Sequence, residues 1–361
     1  MAEIKNICFF ASYYSFAARS LMESYETILS ENVNLFLFCP QSDIEKFNLK
    51  RVQKFSYYDK YTLLFDLRSF CKANNIDLIV NVAGSGSTSF LLVFSKLFTK
   101  MKYMAFQHGT FFWRLKDINS FPFFAFTIVH NLKHLFLFIS QFFMERLLLS
   151  SINLTKRIKR LFFLNKNKIF YLTSAINTNF FKPKDKELAR KKLEISRDEK
   201  VILYSGRIAY LKGSDFLYKI VEKNPDKKFI FIGDLIDKKF KKPFKNLIIL
   251  PNKSQKELIY YYSAADLFIF LSRTEGNPLV PREAMCCHLP CLLSDIDALT
   301  SYKHSIIVPF NTKKIQEAID KFFEMSEKER EKLGKKCREY VVKESSYQAL
   351  KNNYRKYFLD F

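Results

Sequence analysis

The chain has 361 residues, is 48% hydrophobic and carries a formal net charge of +23 at pH 7. The length allows two domains, and the apolar content excludes a disordered chain. The positive charge favours an anionic partner: a phosphorylated substrate, a membrane lipid or nucleic acid. The seven cysteines include no Cys-x-x-Cys pair, and the first residues lack a signal-peptide pattern. We therefore expect reduced, buried thiols and a cytoplasmic location.

Strands and helices alternate along the first half of the chain. Buried strands are predicted at 4–10, 34–39, 78–82, 103–107 and 168–172, and helices at 14–30, 60–74 and 88–98. This alternation is typical of a parallel sheet covered on both faces, in which ligands gather at the carboxyl ends of the strands.

Two loops of this half follow strands and contain glycine. The Gly-Ser-Gly-Ser loop at 84–87 is only half of a dinucleotide fingerprint, so it favours a capped helix start, with sugar or phosphate contact as the alternative. The other loop is Gln-His-Gly-Thr at 107–110, where His108 ends a strand and precedes Gly109. We interpret His108 as a functional residue, and the alternative is a structural histidine.

The region 118–168 differs in composition from the rest of the chain. It is crowded with Phe and Leu, and Glu145 is its only acidic residue. Amphipathic helices at an anionic membrane surface fit this composition, because aromatic side chains would enter the lipid boundary and basic ones would meet head groups. A pair of core helices with a solvated basic face is the alternative, and nucleic acid ranks third because no recognised module accompanies the charge. The basic residues are Lys156, Arg157, Lys159, Arg160, Lys166 and Lys168.

The second half alternates again. Strands are predicted at 201–205, 228–232, 247–250, 267–271 and 291–293, and the chain after Thr312 is charged and helical. A helix is predicted at 212–223, with Lys212 as its first residue. Another is predicted at 280–287, with Pro281 in its first turn, where a missing N–H does little harm.

The stretch 266–291 predicts an anion site. A strand leads through the loop Ser-Arg-Thr-Glu-Gly-Asn into a helix N-terminus, which aims backbone N–H groups and a positive dipole end at a ligand. Glu275 in the loop and Glu283 in the helix could accept hydrogen bonds from sugar hydroxyls. Upstream, Arg207 and Lys212 could hold a diphosphate. The alternatives are solvated charges, and for Glu283 a carboxylate that favours the helix dipole.

Four motifs together resemble the retaining glycosyltransferases of family four, the glycosyl transferases group 1, which have the GT-B fold. They are LYSGRIAYLKG with Arg207 and Lys212, FIGD at 231–234, KELIYYYSAADLF with Asp266, and EGNPLVPREAMCCHLPC with Glu275 and Glu283. They keep the family's order and spacing over roughly 201–308.

The resemblance implies a fold of two doubly wound Rossmann-like α/β domains facing a central cleft. Residues 1–182 would form the acceptor-side domain, 183–345 the donor domain, and 346–361 a terminal helix that packs back on the first domain. The implied activity is metal-independent transfer of a hexose from a nucleotide diphosphate sugar, such as a UDP-sugar, to a hydroxyl with retention, without a cofactor. The region 118–168 suggests a lipid-linked or membrane-surface acceptor at the cytoplasmic face.

The resemblance also implies roles for particular residues. Glu275 would contact hydroxyls of the donor hexose, Glu283 the ribose hydroxyls, and His108 the transferred hexose. The residues expected at catalysis are His108, Arg207, Lys212 and Glu275. The residues expected to bind the donor are Gly206, Arg207, Lys212, Glu275, Gly276, Asn277, Leu279, Val280 and Glu283.

Two features could suggest a metal, and we interpret both otherwise. Asp295 and Asp297 flank Ile296 in a late turn, where turn chemistry explains them. Cys286, Cys287, His288 and Cys291 match no common zinc spacing. His288 replaces the family's glycine, which predicts a locally different helix end.

Two further functions stay open: a GT-B-like nucleotide-sugar epimerase, and an inactive scaffold that binds sugar nucleotides or membranes. The sequence names neither sugar, base nor acceptor.

Overall fold

The computed structural model describes residues 4–11, 16–29, 33–57, 63–83, 101–107, 144–161, 163–241 and 244–360. The chain divides into two compact units. The first comprises Met1–Ala175 with Leu350–Phe361, and the second comprises Ile176–Ala349.

The described residues of the first unit form a seven-stranded parallel sheet in the order β3-β2-β1-β4-β5-β6-β7. The chain order reverses between β1 and β4, which defines a doubly wound sheet. The strands are β1 Asn6–Ala11, β2 Asn34–Pro40, β3 Val52–Tyr57, β4 Leu78–Ala83, β5 Lys102–Gln107, β6 Arg146–Leu149 and β7 Ile169–Tyr171. The helices described here are α1 Phe16–Leu29, α2 Leu63–Ala73 and α3 Ile152–Leu161.

Strands β3 and β6 were not predicted. β3 alternates weakly between apolar and polar residues, so its sequence lacks the continuous apolar run of the central strands. β6 lies inside the region that was predicted to face a membrane, and its residues 147–149 are buried in the sheet. That part of the region belongs to the core.

Helix α3 also lies in that region, and its apolar side packs inward. Leu154 and Ile158 are buried in the core of the first unit, whereas Lys156 and Arg160 are exposed. The alternative of a core helix with a solvated basic face therefore describes α3.

The described residues of the second unit form a six-stranded parallel sheet in the order β10-β9-β8-β11-β12-β13. The strands are β8 Val201–Ser205, β9 Lys228–Ile232, β10 Leu247–Leu250, β11 Leu267–Phe270, β12 Cys291–Ser294 and β13 Ile306–Val308, of which β13 was not predicted. The helices are α4 Lys186–Lys192, α5 Ser214–Lys223, α6 Gln255–Ala264, α7 Leu279–Cys286, α8 Thr312–Glu324 and α9 Glu327–Ser345. Both units are thus Rossmann-like α/β domains, as predicted.

Asp266 ties α4 to the start of this sheet. Its carboxylate lies 2.9 Å from Nη2 of the buried Arg190 and 2.5 Å from Nζ of Lys186, and it accepts a hydrogen bond from the Val201 amide at 2.8 Å. A buried carboxylate needs such partners to offset the loss of hydration. The motif KELIYYYSAADLF is therefore structural at this residue.

The last helix, α10, spans Tyr347–Phe358. Within the first unit, Tyr354 donates a hydrogen bond to the Thr173 carbonyl at 2.9 Å, and its ring centroid lies 5.2 Å from that of Tyr25. Arg146 donates to the Lys356 and Tyr357 carbonyls at 2.8 Å each, so the end of α10 is capped by a guanidinium.

No helix in the described part of the chain has both the length and the apolar character required to cross a membrane.

Candidate functional site

The sequence-predicted donor residues lie on loops that follow β8 and β11. These two strands are neighbours, and the chain order of the sheet reverses between them. Ligands of doubly wound sheets bind at the carboxyl ends of the strands where this reversal occurs. The topology therefore brings together two loops that are about sixty residues apart in sequence.

The loop after β8 carries Arg207, and a buried tyrosine on β8 stabilises it by a hydrogen bond. Tyr204 donates a hydrogen bond from its hydroxyl to the Arg207 carbonyl at 2.7 Å, whereas the Arg207 side chain is exposed. Gly206 has a φ of 145°, a backbone conformation that side chains disfavour. The carbonyl of Gly206 lies 2.2 Å from where a Cβ on Gly233 would stand, so the loops after β8 and β9 touch through bare backbone.

Lys212 does not start a helix, contrary to the sequence prediction. It ends a short 3-10 turn, Tyr210–Lys212, and Gly213 then takes a left-handed φ of 78° before α5 begins. A Cβ on Gly213 would stand 2.2 Å from the Leu271 carbonyl oxygen. The close approach of the β11 loop therefore requires glycine and separates Lys212 from the helix.

Lys212 and Glu275 meet across the two loops. The Lys212 Nζ lies 2.5 Å from the Glu275 Oε1, and the side chains are only 22% and 12% exposed. The Lys212 ammonium also lies 5.9 Å from the ring centroid of Phe270 on β11. Because water is largely excluded, this pair interacts more strongly than a surface ion pair.

The charges of Arg207 and Glu275 both act on the hydroxyl of Tyr204. Burial raises the pKa of the Tyr204 hydroxyl, the charge of Glu275 raises it further, and the charge of Arg207 lowers it. Both charges therefore act on one tyrosine. The structure joins two of the predicted residues directly, Lys212 and Glu275, and Arg207 stands on the same loop as Lys212.

Glu283 has a different environment from Glu275. It is buried in the middle of α7, where its Oε2 accepts a hydrogen bond from the Tyr262 hydroxyl at 3.2 Å. Burial raises the pKa of Glu283 to about 7, although the Tyr262 hydrogen bond and the charge of Arg282 oppose the shift. A carboxyl that titrates near neutral pH is typical of functional sites, although buried structural pairs show the same behaviour.

The remaining predicted donor residues line the entry to α7. Gly276 and Asn277 are half-buried in the loop, and Leu279 and Val280 form the first turn of the helix. Pro278 at the N-cap supplies no side-chain acceptor for the N–H groups of that turn. This helix start is therefore suited to a ligand with acceptor oxygens.

The structure adds two residues that the sequence analysis did not single out, Tyr204 and Arg273. Each stands next to a predicted motif residue, in Leu-Tyr-Ser-Gly-Arg and Ser-Arg-Thr-Glu-Gly respectively. The hydrogen bond from Tyr204 to the Arg207 carbonyl is local, whereas the contacts of Arg273 reach residues about sixty positions away, for which sequence spacing alone carries no signal.

The cluster around the end of α7 does not offer a metal site. Cys286, Cys287 and Cys291 are buried, and burial raises the pKa of all three thiols, which disfavours the thiolate that zinc requires. Burial and the nearby Arg338 lower the pKa of His288. No group of three or more potential metal ligands occurs among the residues whose positions are described.

His108, the loop at 84–87 and the whole of 118–143 lie outside the described residues.

The fold and this site define a class of protein. Residues 185–340 match the family described as Glycosyl transferases group 1, and they include the whole Arg207, Lys212 and Glu275 cluster. The second unit of the chain is therefore a Glycosyl transferases group 1 domain on a GT-B scaffold.

A relative that is described as a glycosyltransferase is similar to part of this chain. The chain is 30% identical over 144 residues to the putative teichuronic acid biosynthesis glycosyltransferase TuaC of Bacillus subtilis, a match covering 38% of this chain and 36% of TuaC. It therefore matches little more than a third of that relative's length.

Solved structures extend the likeness to the whole fold. Sucrose-phosphate synthase of Thermosynechococcus elongatus superposes with a TM-score of 0.77 at 15% identity over 97% of both chains. HepE of Anabaena in complex with UDP-glucose gives a TM-score of 0.75 at 13% identity over 97% of this chain and 98% of HepE.

Proposed function

We propose that this protein is a glycosyltransferase that moves a hexose from a nucleotide diphosphate sugar to a hydroxyl acceptor with retention of configuration. The observation that carries the proposal is the Lys212–Glu275 pair, with Arg207 on the loop of Lys212, at the reversal point of a Glycosyl transferases group 1 domain. The UDP-glucose complex of the similar HepE structure supports a UDP-sugar as the first donor to test.

The cations suit a diphosphate. An ammonium has three N–H donors, so Lys212 can keep one hydrogen bond to Glu275 and give the others to phosphate oxygens. Arg207 is exposed and can approach the same phosphates. Negative charge grows on the diphosphate as the glycosidic bond breaks, so both cations stabilise the leaving group more in the transition state than in the ground state.

Glu275 suits the hexose. A carboxylate has two oxygens, and its Oε2 remains to accept a hydrogen bond from a sugar hydroxyl while Oε1 faces Lys212. In this arrangement the lysine links the phosphate and the hexose positions, which fixes the donor before reaction. Glu283 is assigned to the ribose hydroxyls, and Gly276, Asn277, Leu279 and Val280 to the backbone contacts beside them.

The acceptor side of the proposal rests on the first unit. His108 is assigned to the transferred hexose. The proposed acceptor is a lipid-linked or membrane-surface glycan. What supports it is the basic face that α3 leaves exposed, which anionic lipid would attract although the other face of the helix packs in the core. Flotation with vesicles containing phosphatidylglycerol checks this part, and a protein that stays at the bottom of the gradient contradicts it.

A thermal-shift screen of UDP-, ADP- and GDP-hexoses tests the donor class, because a ligand that binds only the folded state raises the melting temperature. The sugar nucleotide that binds is then used in a transfer and hydrolysis assay. We expect Lys212→Met and Glu275→Gln to lower turnover by roughly a hundredfold or more, the scale of one lost transition-state contact.

Lys228→Met is the matched control for these variants. Lys228 lies in the same unit, its side chain is also 22% exposed, and it pairs with Glu199 at 2.9 Å. It should retain wild-type turnover. Isomerisation of the sugar nucleotide without transfer would indicate an epimerase instead, and unchanged turnover in Glu275→Gln would contradict the assigned site.

A further inference from the structure

A second ionic contact joins the two loops beside the Lys212–Glu275 pair. The Arg273 guanidinium meets the Asp215 carboxylate in a bidentate geometry, with Nη1 to Oδ1 and Nη2 to Oδ2 both at 2.7 Å. Arg273 belongs to the loop of Glu275, and Asp215 to the first turn of α5. Two parallel hydrogen bonds fix both distance and orientation, which a single contact does not.

Arg273 makes further contacts to the turn that carries Lys212. Its Nη1 donates to the Tyr210 carbonyl at 2.5 Å, and its guanidinium lies 3.9 Å from the Tyr210 ring centroid. The Arg273 amide donates to the Leu211 carbonyl at 2.9 Å. Phe216 and Phe310 enclose the guanidinium at 5.0 and 5.6 Å from their ring centroids.

These contacts leave Arg273 with little capacity for a ligand. Three of its hydrogen bonds are directed to Asp215 and Tyr210, and one ring lies against the guanidinium. A planar fork with a stacked ring is what arginine provides and lysine does not. The residue immediately before it also contacts the turn, because the Ser272 hydroxyl donates to the Leu211 carbonyl at 3.2 Å.

We propose that Arg273 is a positioning residue for the donor site. Through Asp215 and Tyr210 it locks the loop of Glu275 onto the turn of Lys212, so that the two charged side chains keep their separation when a donor engages them. The inference rests on the proposed donor function of Lys212 and Glu275. Arg273 itself touches neither phosphate nor sugar.

The test compares Asp215→Asn, Arg273→Lys and the double variant with the wild type. Asp215→Asn keeps the size of the side chain but removes one charged acceptor, and Arg273→Lys keeps the charge but removes the fork. Binding of UDP-glucose is measured by calorimetry, the melting temperature by calorimetric scanning, and the exchange of the amides at 271–277 by hydrogen–deuterium exchange. Glu199→Gln, which breaks the partly exposed Lys228 pair in the same unit, is the control.

We expect each single variant to weaken UDP-glucose binding by roughly tenfold, since a small misplacement of a site is costly. The double variant should lose no more than either single one, because both remove the same contact. Exchange at 271–277 should quicken in these variants and stay unchanged in Glu199→Gln.

Three results would overturn the inference. The first is wild-type affinity in Asp215→Asn with faster exchange at 271–277, and the second is additive losses of affinity in the double variant. The third is a fall in melting temperature without a change in affinity, which would indicate a purely structural pair. Failure of the wild type to bind UDP-glucose and every other sugar nucleotide of the screen would instead remove the proposed function, and with it the donor that Arg273 positions.

Discussion

At the scale of single residues, the two site carboxylates differ in their partners. Glu275 faces an ammonium at 2.5 Å, whereas Glu283 is buried and accepts a hydrogen bond from a tyrosine hydroxyl. Burial favours the neutral form of a carboxyl group, which raises the pKa of Glu283. The sequence placed both acids in one motif, but it could not show that their environments are opposite, because the partners come from distant strands and helices.

The raised pKa of Glu283 makes stability depend on pH. The folded chain holds a proton that the unfolded chain releases between its ordinary pKa of 4.5 and the folded value of about 7. The stability that the protonated Glu283 contributes to the fold is therefore fully present below pH 4.5 and is lost as the pH rises through 7. Glu283→Gln removes this titration, and its amide oxygen can still accept from Tyr262.

As the pH rises from 5 to 8, the free energy of unfolding of the wild type should fall by up to roughly 3 kcal/mol relative to that of Glu283→Gln. Urea denaturation of the second unit at both pH values measures the difference. If the free energies of unfolding of the two proteins differ by the same amount at pH 5 and at pH 8, this would contradict a buried, neutral Glu283.

At the scale of elements, the end of α7 shows how a helix can take a glycine-type ending without glycine. His288 replaces the family's glycine, yet it adopts a left-handed φ of 62°. Its amide donates to the Met285 carbonyl and that of Leu289 to the Ala284 carbonyl, both at 3.1 Å, which is a Schellman ending. His288 therefore takes the left-handed conformation that glycine usually supplies at such an ending, and the hydrogen bonds of the ending offset the strain of one non-glycine residue.

The strongly apolar strands were predictable because each contains a short uninterrupted apolar run, as at 201–204 and 229–232. Strands β3, β6 and β13, at 52–57, 146–149 and 306–308, were missed. β3 has mixed polar and apolar residues, β6 lies within the apolar region 118–168, and β13 has only three residues. Lys212 was misplaced for a different reason: helical spacing continues through Gly213, and only the approach of the Leu271 carbonyl sets the helix start.

Gly334 tests the packing of α9 on the end of α7. A Cβ at this position would stand 2.0 Å from the His288 carbonyl oxygen, which belongs to backbone and cannot rotate away. Gly334→Ala should therefore destabilise the second unit by about 2 kcal/mol, because overpacking outweighs the better helix propensity of alanine.

Lys336→Ala, at an exposed position on the same helix, is the control for Gly334→Ala. It should change stability by less than about 0.5 kcal/mol. Thermal or urea unfolding of both variants gives the comparison. Equal stability of the two variants would show that α7 and α9 move apart without any loss of unfolding free energy.

At the scale of the whole molecule, the last twelve residues of the chain belong to the first unit, although the second unit precedes them in sequence. Tyr354 and Phe358 are fully buried there, and the ring centroid of Phe358 lies 4.5 Å from that of Tyr25. The first unit therefore needs the end of the chain to complete its core.

Tyr354→Ala should destabilise the first unit by about 3 kcal/mol through the cavity that it leaves. Hydrogen–deuterium exchange resolved by peptide should show lost protection at 16–29 and 169–175, with no change at 201–232. Tyr354→Phe keeps the ring and removes the hydrogen bond to Thr173, so it should cost only about 1 kcal/mol. Loss of protection in the second unit alone would contradict this assignment of α10.

The proposed function depends on whether the charged residues at the ends of β8 and β11 hold a sugar nucleotide. The most direct measurement is a calorimetric titration of UDP-glucose, or of the sugar nucleotide selected by the thermal-shift screen, into the wild type and Lys212→Met. We predict saturable one-to-one binding to the wild type and a loss of roughly tenfold or more in affinity for Lys212→Met, with Lys228→Met unaffected. Equal affinity of all three proteins, or no binding of any sugar nucleotide to the wild type, would contradict a sugar-nucleotide site at the ends of β8 and β11.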